Sequence, residues 1–96
     1  MKVVYEIEAS LELQEAVAWY LEHAGERQAE ALIRDLNARL ALVMRFPLSG
    51  TPGIQDTRSM PLRLFPYTVH YRAEEHAIRI FAVAHQKRRP GYWRKR

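Results

Sequence analysis

Residues 66–85 read PYTVHYRAEEHAIRIFAVAH, and two apolar alternations inside this stretch decide the fold. Tyr67, Val69 and Tyr71 alternate with Thr68, His70 and Arg72. After a turn at Ala73 to His76, Ile78, Ile80, Ala82 and Ala84 alternate with Arg79, Phe81, Val83 and His85. A period of two is that of a half-buried strand, so the stretch predicts an antiparallel pair. Just upstream, Met60, Leu62 and Leu64 alternate as well and predict a third strand, with Pro61 confining it to an edge. Leu48 to Asp56, LSGTPGIQD, holds two glycines and a proline and reads as a loop too short to separate domains.

Closer to the N-terminus the period lengthens. Ala29, Leu32, Ile33, Leu36, Leu40 and Val43 recur at helical spacing, and Phe46-Pro47 closes that helix because the residue before proline disfavours helical geometry. Leu13, Ala16, Val17, Tyr20 and Ala24 mark an earlier helix, with Ser10 as its expected cap, Glu12 in its first turn and Gly25 as its stop. The short link at Ala24-Gly25-Glu26 implies a helical hairpin. Val3, Tyr5 and Ile7 alternate with Val4, Glu6 and Glu8 and predict a strand ahead of it. The expected fold class is α+β in the order β-α-α-β-β-β, a helical hairpin packed on a small antiparallel sheet, with residues 1–96 as one domain. A chain of this length buries about 60–65% of its unfolded surface.

Charge is distributed unevenly. Met1 to Asp56 carries five Lys/Arg against nine Asp/Glu, net −4, whereas Thr57 to Arg96 carries ten against two, net +8. A basic half of this kind attracts an acidic partner and loses its grip as salt rises. The absence of cysteine excludes disulfides, a thiolate nucleophile and Cys-ligated zinc. Four histidines, His23, His70, His76 and His85, show no metal-ligand spacing, so neither a metal nor another cofactor is expected. There is no apolar run of membrane-span length and no signal-peptide pattern, which makes a cytoplasmic protein the expectation.

The charge concentrates at one end. Residues 80–96, IFAVAHQKRRPGYWRKR, run from an apolar strand into His85, a basic cluster and the Tyr92-Trp93 pair behind Pro90-Gly91. Lys87, Arg88 and Arg89 suit phosphate or carboxylate, and flat aromatics suit a base or an apolar anchor, so Lys87, Arg88, Arg89, Tyr92 and Trp93 are the candidate target-binding residues. Each has a plainer use. His85 fits a general base or a strand-end histidine bonded to a neighbouring loop. Tyr92 and Trp93 either stack on a target or fold the tail back onto the sheet. Arg58 and Arg63 flank the edge strand, where charge discourages sheet-to-sheet pairing. His70 is expected on the face opposite Val69 and Tyr71, and His23 and His76 on the surface.

Four segments carry a family resemblance: FPLSG at Phe46 to Gly50, Thr57-Arg58, FPYTVHYR at Phe65 to Arg72, and AVAHQKRRPGYW at Ala82 to Trp93. They resemble the RelE/ParE superfamily, the small toxins of type II toxin–antitoxin and plasmid-stabilisation systems. The likeness spans nearly the whole chain. Its most specific parts are the FPY strand and the H-x-x-R-R-P-x-Y-W tail, and the fold it implies is two helices on a small antiparallel sheet. It also implies a cognate antitoxin as partner, contact with operator DNA only through that antitoxin, and either DNA gyrase or the ribosome and its mRNA as target.

RelE-like members cleave mRNA in the ribosomal A site without metal: the ribose 2′-hydroxyl attacks the adjacent phosphate, which demands a proton acceptor, a proton donor and cations. By resemblance the residues of such a site are Arg58, Arg63, His85, Arg88 and Tyr92. ParE-like members poison gyrase instead. Where RelE-type toxins place arginines, this chain has Thr68 and Gln86, which favours the ParE-like branch. An active ribosome-dependent endoribonuclease and a non-toxic, antitoxin-binding relic are the alternatives.

Overall fold

A computed structural model describes residues 1–96 as β1 (Lys2–Tyr5), α1 (Ile7–His23), α2 (Glu26–Arg45), β2 (Thr51–Pro52), a short 3-10 turn (Ile54–Asp56), β3 (Thr57–Pro61), β4 (Tyr67–Ala73) and β5 (Ala77–His85). The strands form one sheet in the order β1-β5-β4-β3-β2. The α1–α2 hairpin carries the chain from β1 to the far edge, and the β2–β5 meander works back until β5 lies beside β1. That last pair is parallel, Lys2 opposite Ala77 and Tyr5 opposite Ile80, so the sheet is mixed although mostly antiparallel.

The α+β class and the element order match the sequence pattern. Both helices pack on one face, where Leu32, Leu36 and Val43 of α2 meet Val69, Tyr71, Ile78 and Ile80 of the sheet, all fully buried. Burying a side chain of this size stabilises by about 1.5–3 kcal/mol, so these seven supply much of the driving force. Ile33, expected in this set, is 39% exposed and lies at the margin of the stripe.

Several expected boundaries move, each for a local reason. The first helix starts at Ile7, not after Ser10: the Glu6 N–H donates to the Ile80 carbonyl at 2.9 Å, ending the strand pairing, and the Ser10 N–H already donates to the Glu6 carbonyl. Ser10 is therefore inside the helix and caps nothing. Gly25 does stop α1, with φ at 90° and its N–H donating to the Tyr20 carbonyl. The segment read as a loop contains a two-residue strand, because Thr51 and Pro52 pair with Ser59 and Arg58. Strand β3 is consequently an edge only at Pro61, beyond the reach of β2, where a missing N–H costs nothing.

Leu64 does not continue that strand. The buried Asp35 carboxylate of α2 accepts the Arg63 N–H at 3.1 Å and the Leu64 N–H at 2.7 Å, bending the chain so that Leu64 is 76% exposed and Phe65 turns inward.

The alternation of β5 also breaks. His70 pairs with Ala82 but Tyr71 pairs with Ile80, leaving Phe81 as an extra residue in a bulge. Beyond it the two faces exchange, so Val83 joins the helix-side core and Ala82 and Ala84 face away, the reverse of strict alternation from Ile78. Tyr71 ties the loop before β2 to this core: its hydroxyl donates to the Pro47 carbonyl at 2.8 Å and accepts the Gly50 N–H at 2.9 Å. A Cβ on Gly50 would lie 2.7 Å from that hydroxyl oxygen, so only glycine fits.

Candidate functional site

Turning away from the helices, Ser59, Thr68, His70 and Ala84 point to the sheet's other face, where nothing but the C-terminal tail covers them. There a cleft of about 340 Å³ opens between the β2–β3 hairpin and the tail. Arg58, Arg88, Arg89 and Arg94 line it, and no Asp or Glu does. A concave surface with one sign of charge focuses its field on an anion.

The tail is set by two devices. Beyond β5, the Lys87 N–H donates to His85 Nδ1 at 3.1 Å, the Arg88 N–H donates to the His85 carbonyl, and the Gln86 N–H donates to the Pro66 carbonyl. The bond at Nδ1 leaves Nε2 as the free ring nitrogen of His85, whose ring meets Tyr67 edge-on. Gly91, at φ 75°, then makes a reversal that a side chain would strain.

That reversal sends Tyr92 and Trp93 in opposite directions. Trp93 folds under the sheet, only 7% exposed, with its indole 4.8 Å from the His70 ring and parallel-stacked near Phe81. Its Nε1 is buried without a hydrogen-bond partner. Burial pushes the His70 imidazole pKa down, partly opposed by the Glu12 charge, so this ring is neutral near pH 7.

Tyr92 turns to α1, where its hydroxyl donates to Glu12 Oε2. The same carboxylate accepts two bonds from the Arg96 guanidinium, at 2.8 and 3.1 Å, and the Val83 N–H at 3.1 Å. Since β1 ends at Tyr5, the outer edge of β5 past Ile80 has no strand beside it. Glu12 and Arg96, which also donates to the Phe81 carbonyl, supply the missing partners. Burial alone would raise the Glu12 pKa, but the bonds from Arg96, Tyr92 and Val83 outweigh it and hold the carboxyl below its ordinary range. Burial, the bond to Glu12 and its charge push the Tyr92 phenol far above its ordinary range. Arg88 lies 3.9 Å over the Tyr92 ring.

Of the residues singled out in the sequence, Arg58, His85, Arg88, Arg89, Tyr92 and Trp93 all line one cleft. Two of the Arg58 donor contacts hold the Leu48 and Gly50 carbonyls, at 2.9 and 3.0 Å. Arg63 is elsewhere, in the turn over Asp35, and Lys87 is exposed outside the cleft. Thr68 and Gln86 are both in its lining. No group of His, Asp or Glu side chains is arranged to hold a metal ion, and no helix is long and apolar enough to cross a membrane.

Sequence reasoning missed Glu12, Asp35 and Arg94. For the carboxylates a signal existed: Glu12 falls three residues after Ala9 and four before Ala16, and Asp35 falls three after Leu32. Each puts a charge on the buried stripe of its helix.

The family model for the ParE toxin of the type II toxin–antitoxin system, parDE, matches residues 3–90 of this chain. No curated protein matches it. Among solved structures the chain is similar to the chromosomal ParDE TA system from P. aeruginosa, with a TM-score of 0.74 at 16% identity, covering 88% of this chain and 95% of that one. At that identity the likeness speaks for the fold.

Proposed function

The chain belongs to the ParE toxin family of type II toxin–antitoxin systems, and from that premise we propose that it poisons DNA gyrase by binding through the arginine-lined cleft, and that a cognate antitoxin neutralises it by masking the cleft with an acidic segment. The observation that carries the reading is the state of the tail. Four arginines face the cleft with no carboxylate among them, which favours an anionic or acidic target. The Tyr92 hydroxyl, by contrast, is engaged by Glu12 with its pKa pushed far up, a poor condition for proton transfer. Thr68 and Gln86 stand in the cleft where an RNA-cleaving relative would place cations.

The deciding assay incubates the purified chain with gyrase, supercoiled DNA and ATP and scores cleaved complexes, alongside translation in a purified extract. The expected result is trapped DNA breaks with translation continuing. Transcripts cut in codon register on ribosomes, with gyrase unaffected, would replace this reading by the endoribonuclease one. Combined Arg88→Ala, Arg89→Ala and Trp93→Ala is expected to abolish growth inhibition in induced cells while circular dichroism keeps the wild-type helix signal.

A further inference from the structure

Because β1 stops at Tyr5, β5 past Ile80 has no neighbouring strand on that side, and helix α1 passes over the edge instead. Between them, next to the arginine cleft, lies a second pocket of about 190 Å³. Glu15 and Trp19 reach it from α1, where a separation of four residues puts them on one face. Tyr67 and His85, opposite each other at the ends of β4 and β5, reach it from the sheet, and Tyr92 reaches it from the tail. Trp19 is 51% exposed, with one face stacked on His23. Ring-bearing side chains thus surround a space smaller than the roughly 300–1,000 Å³ of an ordinary ligand pocket. It suits one flat ring.

The neighbouring cleft says what the ring is attached to. His85, Arg88 and Tyr92 line both spaces, so a ring held by Trp19 and Tyr67 lies beside the arginines. Flat rings joined to a regular chain of anions are what a single nucleic-acid strand offers: bases stack on aromatics while phosphates follow the cations. An acidic peptide brings carboxylates without that regular pairing of ring and charge. Glu15 narrows the choice further. Its side chain is exposed and forms no ion pair within the chain, whereas Glu12 is occupied by Arg96, Tyr92 and Val83. A carboxylate only accepts hydrogen bonds, so beside phosphates it repels unless a donor meets it. Guanine alone among the bases sets two donors, N1–H and the N2 amino group, side by side on its pairing edge, which matches the two carboxylate oxygens.

We propose that this pocket receives an unpaired guanine of a single DNA strand, stacked among Trp19, Tyr67 and Tyr92 and read by Glu15, while the flanking phosphates lie along Arg88, Arg89 and Arg58 in the cleft. This rests on the gyrase reading above for the choice of DNA, and deepens it: what the cleft grips is DNA that gyrase holds open as it cuts. Arg88, which lies over the Tyr92 ring, stands where base and phosphate meet.

The test titrates the full chain into a fluorescein-labelled thymidine DNA strand of about ten nucleotides with one central guanine, read by anisotropy. The chain should bind it at least about tenfold more tightly than the all-thymidine strand, and both affinities should fall as salt rises. Trp19→Ala should weaken binding of the guanine strand about tenfold, and Trp19→Phe, which keeps a stacking ring, should recover most of that loss. Glu15→Gln should bring the two strands within about twofold of each other without weakening the all-thymidine one. Both positions are exposed, so circular dichroism should stay unchanged. Equal affinity for the two strands, full binding by Trp19→Ala, or no binding of either strand overturns the proposal. So does equal binding of a duplex, tighter binding of the same sequence as RNA, or displacement by free dGMP at the strand's own concentration, which would make the site one for a mononucleotide. These titrations contain no gyrase: guanine-strand binding without trapped breaks would sink the gyrase reading alone, and trapped breaks without strand binding would sink only this site.

Discussion

On the helix-facing side of β4 and β5, Val69, Tyr71, Ile78 and Ile80 are sealed by two helices whose backbones bond along their length. On the opposite side, His70 and Phe81 are covered by a tail whose own backbone, after the Gln86 N–H bond to the Pro66 carbonyl, makes only turn bonds, such as Arg94 N–H to the Gly91 carbonyl. Its hold on the body comes from side chains: the Trp93 indole under the sheet and the Glu12–Tyr92–Arg96 cluster on α1. One face is fixed by packing, the other by a clasp. Segments held by few bonds open at lower cost than the core, and binding surfaces are drawn from them. The cleft therefore sits where the fold can best give way to a partner.

The largest effect is expected on the packed face. Leu36→Ala removes a fully buried side chain between the helix and sheet layers and should lower stability by about 2–5 kcal/mol, read as a lower urea midpoint with unchanged slope. Trp93→Ala deletes a larger side chain, but from under a tail that can settle, and it removes a buried N–H without a partner. It should cost less than Leu36→Ala. If urea unfolding gives Trp93→Ala the greater loss, the tail is part of the core and the contrast between the faces disappears.

The next effect falls on the clasp. Glu12→Gln keeps the shape but removes the charge that Arg96 and Tyr92 meet, and hydrogen bonds to charged groups are worth about 1.5–3 kcal/mol. The pH dependence has a definite sign. The Glu12 carboxyl is held below its ordinary range in the folded chain, so its contribution is present above the unfolded carboxylate pKa and is lost as pH falls through the lower folded value. The Tyr92 phenol is raised, so its contribution is present below the ordinary phenol pKa and is lost as pH rises beyond it. Urea midpoints across pH should show Glu12→Gln losing less stability than the wild type on acidification. Equal acid losses in both chains would mean that Glu12 is not the group responsible.

How much of this was legible in the sequence differs between the same two faces. Strand and helix periods gave the layers and their order, because burial of Val69, Tyr71, Leu32 and Leu36 follows a regular repeat that local spacing displays. The bulge at Phe81 was hidden: an inserted residue leaves no mark in an apolar run where the two residues that follow, Ala82 and Val83, are acceptable on either face. The Glu12 clasp joins residues 80 or more positions apart, Glu12 to Tyr92 and Arg96, and no local pattern reports such a meeting. The tail's chemistry was readable as composition, whereas the separation of Arg63 and Lys87 from the cleft depends on how the Asp35 turn and the His85 turn aim the chain.

The smallest effect asks whether the clasp does anything beyond holding the tail. Tyr92→Phe keeps the ring under Arg88 and deletes only the hydroxyl, leaving Glu12 still bonded to Arg96 and to the Val83 N–H. Because the carboxylate keeps these partners, the stability cost should be about 1 kcal/mol, below that of Glu12→Gln. Growth inhibition should be nearly intact. A general acid or base is worth about 10²–10⁴ in rate, far more than so small a loss of stability can account for. A collapse of toxicity in Tyr92→Phe, with antitoxin affinity and circular dichroism unchanged, would therefore mean that the hydroxyl leaves Glu12 and carries a proton in the reaction. The tail would then be a nuclease site whose resting state is closed by the clasp, and the difference between the two faces would be one of catalysis as well as of stability.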